Sequence, residues 1–301
     1  MTGRHAALLG ALILVMAGCT SSAEGTDPVP DHPTTTEADP SSSVEVTTST
    51  AAPTTTTSQA TTTTSAPRPK SLVPPVFPAA TAPPRLPDAA APVTILTLGD
   101  STAFPLGWGV RRAAEASGLA VATTDSRTST GLSRPDFFDW PTTLFSLLQV
   151  PPEVAVVSFG ANDAQNLTFT DGRSGIVFGE PAWFEEYTRR VDGVMKLLSS
   201  LGVKVYWVGQ PLARDPGYTD RMRQLDDVYR SVVATYPGAT YIDCWYWISD
   251  DAGNYSDTLP DINGVPVVVR TDDGIHLNTA GGDFMGAVVV NQVLADYGVQ
   301  R

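Results

Sequence analysis

The sequence predicts an α/β domain built on a parallel sheet of about five strands. Two observations carry that expectation. Short apolar runs with strand character recur at Val93–Leu98, Leu119–Thr123, Val154–Phe159, Val203–Val208 and Thr240–Ile242. Segments of helical periodicity lie between several of them, at Trp108–Ser117, Ala182–Leu201 and Asp220–Tyr236. Alternating strand and helix gives a parallel sheet covered on both faces. Such sheets carry their sites in loops beyond the carboxyl ends of the strands.

The order of segments begins outside that domain. Residues 1–18 hold Arg4 and His5, then an apolar run, then small residues, which is the layout of an export signal and is short for a spanning helix. Val15-Met16-Ala17-Gly18 leads directly into Cys19 and resembles the lipobox of bacterial lipoproteins. That resemblance implies lipid on Cys19, attachment to the outer face of the cytoplasmic membrane and reach into the cell wall. Met16 stands where Leu is usual. Residues 19–90 are rich in Thr, Pro and Ser and poor in large apolar side chains, so they predict a disordered tether. Whether its Thr runs carry sugar is left open. Residues 91–301 suit one domain. The net charge of −13 argues against a nucleic-acid partner.

Within the domain, the first strand ends in Gly99-Asp100-Ser101, which places the Ser101 hydroxyl at the mouth of a loop. A lone Gly-Asp-Ser is also an ordinary helix cap. After the second strand comes Gly131, whose backbone N–H is a candidate oxyanion donor and otherwise that of a loop glycine. The third strand runs into Gly160-Ala161-Asn162-Asp163. The Asn162 amide can face a developing oxyanion, a contact worth about 10²–10³ in rate, or close a turn. Near the end stands Asp272-Asp273-Gly274-Ile275-His276, followed by a helix from about Thr279. The other two histidines are His5 and His32, so His276 is the only histidine in the folded part and the base available to Ser101. Asp273 stands three residues before it and can orient the ring; Asp272 is the rival.

These four stations, in this order, resemble the SGNH (GDSL-type) hydrolase superfamily, over essentially the whole of Val93–Tyr297. The segment Asp261–Arg270 before the histidine loop looks like a bacterial branch known only as a domain of unknown function. The resemblance implies a flavodoxin-like α/β/α sandwich and cofactor-free, metal-free ester hydrolysis. By the same resemblance Ser101 is nucleophile, His276 base and then acid, and Asp273 orienter. Ser101, Gly131 and Asn162 would form the oxyanion hole. The expected substrate is an O-acyl ester, with acylated cell-wall polysaccharide favoured by the envelope address. Acyl transfer to a sugar uses the same residues, and a non-catalytic envelope module is the rival from another class.

The remaining conspicuous residues read blandly. Cys244, with Cys19 assigned to lipid, has no disulfide partner and is expected as a buried, inert thiol ending an apolar strand. Trp245, Tyr246 and Trp247 are expected in the core or at its rim, with a sugar platform as the alternative. Asn263-Gly264 predicts a hairpin turn, serving either as a lid or as a surface excursion. No carboxylates have ligand-like spacing.

Overall fold

The structure is a computed structural model that describes residues 85–300 apart from residue 262. The export signal, Cys19 and the tether through residue 84 lie outside the described residues. Five parallel strands form the main sheet: β1 (Val93–Gly99), β2 (Ala120–Ser126), β3 (Val154–Ser158), β4 (Lys204–Val208) and β5 (Thr240–Ile242). Their order is β2-β1-β3-β4-β5. This is the flavodoxin-like order, and its switch point lies between β1 and β3, where ligands of such sheets bind.

The helices are α1 (Ala103–Ser117), α2 (Trp140–Leu147), α3 (Pro181–Ser200), α4 (Pro216–Val233), α5 (Cys244–Ile248) and α6 (Thr279–Asp296). Strand side chains alternate between two cores. Leu96, Leu98, Val157 and Trp207 join residues of α2, α3 and α4, whereas Val93, Ile95, Val156 and Tyr206 join residues of α1, α5 and α6. A strand buried on both faces reads as a continuous apolar run, which is why β1 and β3 stand out in the sequence.

α1 and α6 meet almost backbone to backbone. A Cβ on Gly109 would lie 1.8 Å from the Gly282 oxygen, and one on Gly286 would lie 2.1 Å from the Gly109 carbonyl carbon. Only glycine fits that seam.

The structure adjusts several expectations. α1 begins at Ala103, directly after the Gly-Asp-Ser turn, and α2 is an element the periodicity did not mark. Tyr241–Trp247 is not one strand: β5 stops at Ile242, Asp243 accepts from the Tyr246 N–H, and Cys244 opens the short helix α5. The domain also starts before residue 91. Arg85 donates from Nε and Nη2 to the Glu153 carboxylate at 3.0 and 2.8 Å, and Asp88 and Ala91 form a bridge. The predicted hairpin is present as β6 (Thr258–Pro260) and β7 (Pro266–Val268).

Candidate active site

The site is built at the carboxyl end of the sheet, where β1 and β3 part company. Ser101 follows β1 and is partly exposed. The His276 loop leads into α6, so the seam between α1 and α6 fixes how far the two residues stand apart. The Ser101 Oγ lies 2.8 Å from His276 Nε2. On the far side of the ring, Nδ1 lies 2.6 Å from Asp273 Oδ2. A carboxylate only accepts, so Nδ1 carries the proton and the Nε2 lone pair faces the serine hydroxyl.

Asp273 is held by more than the histidine. Its Oδ1 accepts from the Ile275 N–H at 2.8 Å, the His276 N–H at 3.0 Å and the Thr271 hydroxyl at 2.6 Å. Partial burial pushes the carboxyl upward; the Thr271 hydroxyl, the two N–H groups and the imidazole outweigh it and hold the group well below the ordinary carboxylate range. Asp272 does not share this role. Its carbonyl accepts from Arg214 Nη1 at 2.9 Å.

The expected oxyanion donors come from two adjoining loops. Asn162 Nδ2 donates to the Thr130 oxygen at 3.0 Å, which fixes the amide plane and joins the Asn162 loop to the residue before Gly131. Nδ2 has a second N–H to offer. A Cβ on Gly131 would stand 2.2 Å from Asp163 Oδ1, so the close approach of that carboxylate demands glycine here.

A family model described as "Protein of unknown function (DUF459)" matches residues 94–292, which takes in all four stations. The chain belongs to the DUF459 family. No curated protein matches it. Solved structures similar to this DUF459 chain include TesA, at 17% identity over 67% of this chain and 99% of that one, with a TM-score of 0.45. A psychrotrophic esterase, EstA, from Pseudoalteromonas sp. is 12% identical over 68% of this chain and 99% of its own, with a TM-score of 0.45. An acetylxylan esterase from Geobacillus stearothermophilus is 14% identical over 69% and 95%, again at 0.45.

Two further aspartates of the DUF459 domain organise the site without facing substrate. Asp100 is fully buried. Its Oδ1 accepts from the Thr102 N–H and hydroxyl, and its Oδ2 from the Gly160 and Ala161 N–H groups at 2.8 and 2.9 Å. It therefore ties the Ser101 turn to the Asn162 loop. Burial pushes its carboxyl up to about 6, against the pull of those donors. Asp163, also fully buried, accepts from the Ser133 N–H at 2.7 Å and the Tyr187 hydroxyl at 2.7 Å, and so anchors the Gly131 loop. Both residues sit inside the motifs the sequence displays, and only their burial reveals the role.

Cys244 is 2% exposed, and burial pushes its thiol far above the ordinary range, which makes it a poor nucleophile. Trp245 is buried, and the half-buried Trp247 packs on Tyr246 and Phe284 at the rim of the core.

Proposed function

We propose that this chain is an exported serine esterase that removes short O-acyl groups, foremost O-acetyl, from cell-envelope carbohydrate. The observation that carries the reading is the continuous relay from Ser101 Oγ through His276 to Asp273. Serine attacks the acyl carbonyl while Nε2 takes the hydroxyl proton. The charge that grows on the carbonyl oxygen is met by the Ser101 and Gly131 N–H groups and the Asn162 amide. Nε2 then returns its proton to the leaving sugar oxygen. Water, deprotonated by the same nitrogen, attacks the acyl-enzyme and releases the acid. Asp273 stabilises the transient imidazolium, and its low proton affinity keeps it a carboxylate throughout.

Export, lipid attachment at Cys19 and an address on the outer face of the cytoplasmic membrane rest on the leader's composition. The envelope address favours polysaccharide esters over soluble metabolites. A fluorophosphonate probe tests the core claim. The wild-type protein should be labelled and Ser101→Ala should not; labelling that survives the substitution sinks the nucleophile assignment. Acetate release from an acetylated polysaccharide tests the substrate. Release that stays negligible in water but rises with added sugar acceptor would reassign the site to acyl transfer.

A further inference from the structure

An open groove of about 1110 Å³ runs along the free edge of β2 and reaches Thr130, the residue before Gly131. One of its lining residues, Phe104, is three residues from Ser101 and its N–H donates to the Ser101 oxygen. Of the five exposed Phe and Trp rings among the described residues, three line it: Phe104, Trp108 and Phe137. Exposed rings grouped in one groove mark a binding surface, whereas rings scattered singly do not.

The charges of the lining narrow the choice of occupant. They are already paired: Arg127 makes two 2.8 Å bonds to Asp125, and Arg111, which also lies 5.1 Å from the centre of the Trp108 ring, bonds Glu115 at 2.8 Å. The groove is therefore electrically balanced, which suits neither a polyanion nor a polycation. Asp125 and Arg127 on the free edge also discourage pairing with a peptide strand. What remains is a mixture of rings, hydroxyls and paired charges, with Thr124 and Thr128 among the lining. Sugar rings present an apolar C–H face and an equatorial rim of hydroxyls, and that lining matches both.

We infer that this groove is a glycan-binding subsite that holds a neutral polysaccharide chain on the Phe104, Trp108 and Phe137 rings, leading its acylated residue to Ser101. The inference rests on the serine-esterase reading for the direction of the chain, but its test needs no turnover. Full-length Ser101→Ala protein is titrated with xylohexaose and with chitohexaose by calorimetry. At least one should bind, and adding Trp108→Ala or Phe137→Ala should weaken it about tenfold, the scale of one lost ring contact. Phe137 lies in a loop, so its variant keeps the test informative if Trp108→Ala unfolds. Phe145→Ala, an exposed ring outside the groove, should leave binding unchanged. Failure of both oligosaccharides to bind at millimolar concentration, binding indifferent to Trp108 and Phe137, or tighter binding of polyglycerol phosphate or laurate overturns the subsite. Absence of fluorophosphonate labelling in the wild-type protein alongside intact, Trp108-dependent glycan binding would overturn the esterase and spare the groove.

Discussion

At the scale of single residues, the relay is tuned by hydrogen bonds to the charged forms. Asp273 collects two backbone N–H groups, a hydroxyl and the imidazole, so it stays ionised and fixes the histidine tautomer. Asp273→Asn should keep the fold and lower kcat/KM on a small chromogenic ester by about 10³–10⁴, because an amide presents the wrong partner to Nδ1. Steady-state kinetics beside a thermal melt would separate the two effects. Asp226 is the opposite case. It is 2% exposed, accepts one bond from the Gln210 N–H, and burial pushes its carboxyl up to about 7. A folded value above the unfolded one means the fold retains the proton. The stability associated with that proton is complete below about pH 4 and is lost as pH rises to about 7, amounting to about 4 kcal/mol. Melting temperatures of Asp226→Asn should therefore fall less between pH 4 and pH 8 than those of wild type. Parallel curves would remove Asp226 as the cause.

At the scale of elements, loops are held by carboxylates and helices by glycines. Gly131→Ala must displace the Asp163 carboxylate, because the new methyl would stand 2.2 Å from Oδ1. On the proposed mechanism the expected outcome is a fall in kcat of about 10²-fold as the Gly131 N–H moves, with KM less affected, measured on a small ester. Much of this architecture was legible beforehand. The strands were readable because parallel strands buried on both faces are continuously apolar. The stations were readable because turns after strands use Gly, Asn, Asp and Ser. What escaped has physical reasons. α2 is short and opens on Trp140-Pro141, so it offers too few turns for a period to show. The aromatic run after β5 looks β-like by propensity, yet the Asp243 cap turns it into helix. Arg85 falls in a Pro-rich stretch whose composition hides a paired side chain. The role of Gly109 is invisible without its neighbour, because a glycine in a helix ordinarily weakens it.

At the scale of the whole molecule, the sheet order brings stations from positions 99 to 276 to one rim, and no composition or local pattern encodes that meeting. A chain starting at residue 85 should hydrolyse a small soluble ester as fast as the full-length protein, within about twofold, because it keeps the Arg85–Glu153 pair and all the strands and helices that carry the site. Turnover on wall-bound material should depend on the leader and tether if the envelope assignment holds, and equal activity of both forms on intact cells would count against it. The glycine seam bears on how the protein fails when heated. Side chains can rearrange by changing rotamer, but two backbones in contact have no such slack. The separation between Ser101 and His276 should therefore stay constant until the two helices come apart altogether. Loss of activity on warming should then coincide with global melting, with no inactive but folded intermediate beforehand.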